Sequence, residues 1–492
     1  MKQTINLKMV LTTLVFFSAI AILVSGSFTQ ASPSYIQAKT GSCQFEKDWI
    51  TNPDNPPDEV ARSDTDGTSN FCDFYEFSWQ WFLHLMAPSA DDKNLRNFEI
   101  ASRYPVLKAT GEDSCSNKTG KPIFFIRTSK DKDDSTPFVL PERVHQAGSR
   151  AVIYDINENI VLYSVQFSEG LCDLTNADLK SDTAMLPSDT LELKMAWRIL
   201  DDTSGNSIDD KSNYYWINAD IVATDNKGYP VKDDKGEFVK GQRTLGLIGM
   251  HLVKSTPDHP EMIWATFEHK SNTTECVLDF QRFDHSYSFL TDKGKFCLDA
   301  PTHPHCESTF NNKDPDNNSL INGGAFFSGD EGVPLKHATT NICRVFPNAT
   351  ADMDYKESEN NKAIDTLNEG AGAALSSLAP DNPMAVLKNY FNVGSLWLSN
   401  PKKEIGYHVP ETPAGTDNQR GSLQLANSVM ETTDQGTIEI DKNGQLVTST
   451  EGVVNCFVCH GYNPTNTAST KSGSKLSHII DDIVSGKTRD AR

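Results

Sequence analysis

Ten cysteines restrict what this 492-residue chain can fold into more than any other feature, because their spacing divides them into two groups. Cys456 and Cys459 belong to the run Asn455–His460, which contains the pattern C-x-x-C-H. The other eight lie singly along the chain, at Cys43, Cys72, Cys115, Cys172, Cys276, Cys297, Cys306 and Cys343. In an oxidising compartment an even set of eight predicts up to four disulfides, with roughly a hundred possible pairings. We therefore expect eight cysteines to stabilise the fold and two to serve another purpose.

The first residues of the chain indicate the compartment. Lys2 and Lys8 precede an apolar run, Met9–Val24, and small and polar residues follow as far as Ala31. This order is typical of a signal peptide, which we predict over residues 1–31. The apolar run is somewhat shorter than the ~20 residues that span a bilayer, and a retained N-terminal anchor is the alternative. The sequence thus predicts a periplasmic or secreted protein with no integral membrane span after signal cleavage.

The charge balance limits the partners. The chain has 45 Lys and Arg against 66 Asp and Glu, which gives a net charge of −21. Nucleic-acid binding would require a concentrated basic patch, and no run rich in Lys or Arg is present. We therefore exclude nucleic acid as a partner. A charged fraction of 23% with 37% hydrophobic residues indicates a globular protein.

The pattern Cys456–His460 is the one to which haem c is attached. Two thiols add across the two vinyl groups of haem, and the adjoining histidine ligates the iron. Ten cysteines and twelve histidines in 492 residues would give about 0.005 such patterns by chance. The competing interpretation is a thioredoxin-like redox pair, which begins a helix in a βαβ unit that is not indicated here. We predict one covalent haem c on Cys456 and Cys459, with His460 as the proximal iron ligand.

The position of the motif is also informative. Only 32 residues follow His460, too few for a small cytochrome c domain, in which the haem motif stands near the beginning. The chain before the motif reads mainly as strands and turns, which argues against a four-helix cytochrome c′ bundle. We therefore expect a β-rich α+β fold. It would comprise one large disulfide-stapled domain over residues 32–445 and a haem attachment segment over 446–492 that packs against this domain.

Hydrophobic periodicity and turn residues predict the elements of the large domain. Strands are expected over 151–155, 160–167, 191–200, 214–223, 244–254 and 262–269. Helices are expected over 69–86, ended by Pro88, and near 361–377, 384–391, 421–431 and 477–484. The pair Asn443–Gly444 predicts a hairpin within 438–447.

Five stretches carry a resemblance to a known family: Phe77–Phe82, Gly246–Lys254, Met262–His269, Gln424–Thr432 and the motif Cys456–His460. They span most of the chain after the predicted signal peptide. They are similar to segments of exported bacterial proteins described as cytochrome c family proteins. The resemblance implies a single-haem periplasmic protein and supplies no biochemical role. Trp81 departs from the family, in which a smaller or non-aromatic residue is expected.

The distal side of the haem would decide the mechanism, because a strong sixth ligand favours electron transfer and an open position favours binding of small molecules. His478, on the expected last helix, is the nearest distal candidate, and Met430 is the second. A surface histidine and a core methionine are the alternative interpretations of these residues. Glu268 and His269 would form an acid–base pair if they faced the haem. Trp264 is either an aromatic contact of the haem or a core residue.

Two classes of function follow from these patterns. A lone haem without a second cofactor motif favours electron transfer to or from a redox partner protein or a small-molecule donor or acceptor. A domain of about four hundred residues is more than a carrier needs. That size favours the alternative, a haem-dependent oxidoreductase (peroxidase-like or a small-molecule oxidase) or a haem-based sensor. No catalytic residue is assigned, and the sequence leaves open whether the chain is an enzyme.

Overall fold

The computed structural model describes residues 43–126, 153–174, 186–225, 230–277, 286–306, 339–351, 358–399, 418–432 and 434–450, and also 453, 455–460, 477, 479–480 and 482–483. The predicted signal peptide lies outside these residues. All of the described residues belong to one compact unit, 39–492. Within the described part of the chain, no helix has the length and apolar character needed to cross a bilayer. The boundary expected between residues 445 and 446 stays a prediction.

Eight strands of the described chain form one sheet, and two more form a separate hairpin. The strands are β1 Ile123–Phe125, β2 Leu162–Phe167, β3 Leu191–Ile199, β4 Trp216–Val222, β5 Lys240–Lys254, β6 Ile263–His269, β7 Tyr390–Leu398, β8 Gln419–Gly421, β9 Thr437–Ile440 and β10 Leu446–Ser449. The long strand β5 pairs along one edge with β3 and along the other with β4 and β6. The order continues through β7 to β8, and all these pairs are antiparallel. β2 extends the sheet beyond β3, and β1 lies parallel to β4.

One face of the sheet is covered by two helices. The α-helices of the described chain are α1 Asp48–Thr51, α2 Phe71–Met86, α3 Asp292–Asp299, α4 Glu359–Ser376 and α5 Cys456–His460. α2 begins with a capping box, in which Asn70 and Asp73 satisfy each other's backbone N–H groups. From α2, Phe82 stacks on Phe267 of β6 with ring centroids 4.1 Å apart. α2 and α4 pack together and bury the apolar side chains that this face presents. We call it the helix face.

The opposite face carries a second apolar cluster. Alternate residues of a strand point to opposite sides of a sheet, so β6 sends Phe267 to the helix face and Trp264 to the other. Trp264 packs there with Val253 of β5 and Leu396 of β7, and the cover includes Phe457 of α5. We call this side the motif face. The C-x-x-C-H turn therefore lies on the side of the sheet that α2 and α4 leave uncovered.

The eight singly placed cysteines form four disulfides, as their number predicts. The pairs are Cys43–Cys72, Cys115–Cys172, Cys276–Cys343 and Cys297–Cys306. The last pair closes a loop with a sequence separation of 9, whereas the other separations are 29, 57 and 67. Cross-links over such separations restrict the unfolded chain, by about 3–5 kcal/mol each in the loop-entropy description. Cys456 belongs to none of these pairs.

The structure confirms most of the predicted elements, shortens two and corrects one. Among its described residues, the strand expected over 151–155 is reduced to a bridge between Tyr154 and Ile160. The helix expected near 384–391 is a short 3-10 helix, Ala385–Asn389, after which β7 begins. The expected helix 69–86 forms as α2, and the hairpin at Asn443–Gly444 forms between β9 and β10. The helix expected over 421–431 is wrong, because this segment consists of turns beyond β8. Its backbone N–H groups bond to side chains such as Glu268 and Glu431 rather than along a helix. β7 was not anticipated. Of the helix expected over 477–484, residues 479–480 and 482–483 are described and are helical, as predicted.

Lys254, at the end of β5, is a buried cation on the helix face. It is 2% exposed, and its ammonium lies 4.5 Å from the centroid of the Trp81 ring. Burial lowers the pKa of Lys254 to about 8, against the attraction of the carboxylates of Asp189, Asp58 and Glu59. Trp81 therefore provides a cation–π contact that offsets part of the burial cost.

We predict that Lys254→Met raises the free energy of unfolding at pH 7 by about 2–3 kcal/mol, because the unfolded chain binds a proton that the folded chain holds weakly. The destabilisation is full below pH 8 and disappears as the pH rises toward the ordinary lysine pKa. The gain should therefore fade between about pH 8 and 10.5. Urea unfolding across this range measures it, with the exposed Lys442→Met as control. A gain that did not change with pH would contradict the charge-burial explanation.

Candidate functional site

The C-x-x-C-H run forms a single helical turn, α5, against the sheet. Cys456 and His460 are half-buried, and Phe457 between them is fully buried. The side chain of Cys459 lies outside what the structure describes, although its backbone belongs to the same turn. A helical turn is the conformation in which residues four apart stack on one face, so it presents Cys456 and His460 on the same side.

Asn455 fixes the start of this turn. Its side-chain amide donates hydrogen bonds to Oε1 of Gln419, at 2.8 Å, and to the carbonyl oxygen of Leu423, at 3.0 Å. The residue is fully buried. Gln419 begins β8, the last strand of the sheet, so the motif is tied directly to the sheet edge. Sequence reasoning missed Asn455, because nothing in the pattern indicates that the residue before the first cysteine makes two buried hydrogen bonds.

Trp264 is the aromatic contact of the motif histidine. Its ring centroid lies 4.5 Å from that of His460, with the ring planes at 57°. Phe457 approaches the same indole at 6.0 Å between centroids. The sequence left Trp264 open between a core residue and a haem contact, and in the fold it is both buried and in contact with His460. Its indole Nε1–H is buried and has no hydrogen-bond partner among the described residues.

A cross-strand row extends from Trp264 over the motif face. Residues that pair directly across neighbouring strands project on the same side of the sheet. Going from β6 through β5 and β3 to β2, the paired residues are Trp264, Val253, Glu192 and Phe167. Leu396 continues the row on β7. Four of the five side chains are apolar members of the cluster that includes Phe457. The row therefore contains a single ionisable residue, Glu192 on β3.

Glu192 is a buried carboxyl group that was not singled out in the sequence. It is 8% exposed, and its Oε1 has no hydrogen-bond partner among the described residues. Burial raises the pKa of Glu192 to about 7, and the nearby Ser477 hydroxyl of the terminal segment lowers it only partly. Ile479, Ile480 and Ile483 of this segment are also buried on the motif face. The signal available in the sequence was the position of Glu192 between two leucines at the start of a strand.

The two candidates for the distal iron ligand are His478 and Met430. His478 lies outside the described residues. Met430 is fully buried in another apolar cluster, with Val429 and Ile248. The methyl carbon of Met430 packs against Gly249 of β5, where it would lie 3.0 Å from a Cβ atom. Gly249 is four residues before Val253 on the same strand. The structure thus associates Met430 with a different part of the sheet from Trp264, and the distal ligand stays a prediction.

The expected acid–base pair of Glu268 and His269 is not formed, because the two neighbouring residues face opposite sides of β6. Glu268 accepts hydrogen bonds from Arg344, at 2.7 Å, and from the backbone and hydroxyl of Ser428, at 2.6 and 2.7 Å. His269 stacks on Tyr214 with ring centroids 4.3 Å apart. Burial lowers the pKa of His269 to about 4, so its imidazole is neutral at ordinary pH.

A second histidine contact lies further along the motif face. His251 of β5 is 2.6 Å, through Nε2, from Oε1 of Glu431. Burial alone would raise the pKa of Glu431, but the charge and hydrogen bond of His251 hold it below its ordinary value. Glu431 also accepts the backbone N–H of Asn427 at 2.8 Å. This contact orders the segment that contains Met430 and does not involve α5.

The donor set and its surroundings fit the group predicted for the motif. A thiol and an imidazole project from one anchored turn, and the buried indole of Trp264 lies against the imidazole. The indole N–H has no partner among the described residues, nor has one oxygen of Glu192 in the same cross-strand row. The apolar side chains around them match the largely apolar macrocycle of a haem. No protein-family model, curated protein or solved structure matches the chain.

We predict that Asn455→Ala lowers the free energy of unfolding by about 1–3 kcal/mol, because it leaves the buried acceptors Gln419 Oε1 and Leu423 O without their donor. Chemical denaturation measures the loss. Asn443→Ala, which removes an exposed amide from the β9–β10 turn, is the control and should cost less than about 0.5 kcal/mol. Equal effects of the two substitutions would show that Asn455 does not anchor the motif.

Proposed function

We propose that this chain is an exported monohaem c-type cytochrome that transfers electrons through a haem attached at Cys456 and Cys459. The contact between His460 and Trp264, at 4.5 Å, is the observation that carries the proposal. A histidine that ligates iron must be held in one orientation, and a buried indole against its ring restricts the rotation of the imidazole. Chance packing of an unrelated C-x-x-C-H run would not require the histidine to meet a buried aromatic residue.

Each residue of the site would have a separate role in attaching the haem, ligating its iron or anchoring the turn. Cys456 and Cys459 would form the thioether links, His460 would ligate the iron, and Asn455 and Phe457 would hold the turn on the sheet. A bound haem would supply an iron that gains and loses one electron. The apolar motif face, including Val253 and Leu396, would disfavour the more highly charged oxidised iron and so tune its potential.

The resemblance to exported single-haem proteins and the predicted signal peptide agree with a periplasmic location, where haem c would be attached. The excess of acidic residues, 66 against 45 basic, favours a redox partner with a basic docking surface or a small-molecule donor or acceptor. An oxidoreductase or a sensor remains the second class of function. The coordination of the iron distinguishes these classes from the carrier.

We predict that the Cys456→Ala/Cys459→Ala protein retains no covalent haem, because both thioether links are gone. Denaturing electrophoresis followed by a stain for haem peroxidase activity is the measurement, and the wild type should retain the stain. The matched control is Cys297→Ala/Cys306→Ala, which removes a disulfide remote from the motif in sequence and should keep the stain. Stain in the first variant would refute attachment at the motif.

We expect the haem-loaded wild type to be low-spin and six-coordinate in optical and EPR spectra, and not to bind carbon monoxide, because a carrier keeps both axial ligands. His478→Ala and Met430→Ala test the two distal candidates. The substitution that removes the ligand should give a high-spin iron that binds carbon monoxide. Met195→Ala, a buried methionine on the helix face, is the control.

A high-spin, ligand-accessible iron in the wild type would contradict the carrier and favour the oxidoreductase or the sensor. If both variants stayed low-spin, neither His478 nor Met430 would be the distal ligand.

A further inference from the structure

Glu192 occupies an unusual position for an acidic side chain. The row in which it lies otherwise consists of Phe167, Val253, Trp264 and Leu396, and the Trp264 ring contacts His460. Its carboxyl group is more than nine-tenths buried, and Oε1 has no partner among the described residues. A buried carboxylate without a compensating cation is costly. A fold that merely needed to fill this position would do so better with an apolar side chain.

We propose that Glu192 takes up a proton when the iron of a haem bound at the motif is reduced, and releases it when the iron is oxidised, so that electron transfer is coupled to proton transfer. The proposal rests on the proposed function, because it requires the haem. It adds a residue that the C-x-x-C-H pattern does not contain, and it assigns a role to a buried group that attachment of the haem does not use.

The separation across the sheet allows this coupling. Glu192 and Trp264 are two strand spacings apart, which is about 10 Å between their backbones. For two unit charges separated by a distance of this order, in a protein medium of effective dielectric constant near 20, each changes the equilibrium of the other by roughly tenfold. Burial raises the pKa of Glu192 to about 7, so both of its protonation states occur near neutral pH.

Among the described residues, the strands paired with β3 and the terminal segment bring the following groups toward Glu192. On β2, the residue opposite Glu192 is the apolar Phe167. On the same face of β3, the next ionisable residue is Lys194, whose ammonium lies 5.9 Å from the centroid of the Tyr163 ring. On β5, the residue opposite Glu192 is Val253. Two residues away on the same strand is His251, which is hydrogen-bonded to Glu431. The terminal segment contributes Ser477 and carries Asp482, and its His478 lies outside the described residues.

The coupled step balances simply. An external one-electron donor, protein or small molecule, reduces the iron, and the ionised carboxylate of Glu192 binds a proton from solvent through its oxygen. The site then gains one electron and one proton with no change in net charge. Oxidation by the acceptor reverses both transfers, and no covalent bond between heavy atoms forms or breaks.

Two other acids could imitate this behaviour and serve as controls. Burial raises the pKa of Glu76 and of Asp434 to about 7, as it does for Glu192. Glu76 lies in α2, on the opposite side of the sheet from the motif. Asp434 lies beyond the turn segment near Glu431, whose charge also raises its pKa. Neither belongs to the row that contains Trp264.

The test is the midpoint potential of the haem-loaded mature chain as a function of pH, measured by spectroelectrochemistry between pH 5 and 9. In the wild type, the equilibrium constant for reduction should fall about tenfold across neutral pH, because ionised Glu192 stabilises the oxidised iron. The midpoint potential of Glu192→Gln should not depend on pH in this range, and it should stay near the value that the wild type has at low pH. Glu76→Gln and Asp434→Asn should follow the wild-type curve.

The proposal would be overturned if the midpoint potential of Glu192→Gln still depended on pH, or if the dependence disappeared in Asp434→Asn instead. So would a potential of the wild type that does not change with pH. If Glu192→Gln fails to fold, the wild type itself provides the second measurement. Its reduced-minus-oxidised infrared difference spectrum at neutral pH should show a protonated carboxyl band that Glu76→Gln retains, and absence of this band would equally refute the coupling. Failure of the proposed function is distinguishable, because the chain would then carry no covalent haem.

Discussion

Burial of the sheet on both faces is the constraint on which the rest of this structure depends. Every residue of β6 is buried, and β7 is nearly so, although an antiparallel sheet commonly leaves one face to water. Two helices cover one side. The other side must be covered by segments without long regular structure, among them the turns after β8 and the C-x-x-C-H turn. The motif is therefore part of the cover of the core, and it is positioned by the same apolar contacts that stabilise the sheet.

Buried charges in this sheet are of two kinds. Some are fully paired, such as Glu268 with Arg344 and Ser428, and these hold covering segments in place. Others are not directly paired: Lys254 on the helix face is attracted by Asp189, Asp58 and Glu59, and Glu192 on the motif face has an oxygen without a partner among the described residues. Their pKa values move toward neutrality because burial disfavours the charged form. The first kind specifies structure, whereas the second leaves groups that can change protonation near neutral pH.

Much of the fold could be predicted from local patterns. α2 has an apolar periodicity and a polar cap, and β5 and β6 are long apolar runs, so each was recognisable alone. β7 was missed, because Gly394 and Ser395 interrupt its apolar run and one of its residues bulges against Thr266 and Phe267. The turns over 421–431 resemble a helix in composition. They are held instead by bonds to distant side chains, which no local pattern contains.

The sequence by itself determined the chemistry that the chain can offer: eight cysteines for disulfides, and a C-x-x-C-H run whose spacing suits haem attachment. Only the tertiary structure decided that Trp264 meets His460, that Asn455 ties the turn to β8, and that Glu192 shares a row with Trp264. The physical reason is the register of strands far apart in sequence. A shift of one residue between β3 and β5 would turn Glu192 to the helix face, and no local pattern specifies that alignment.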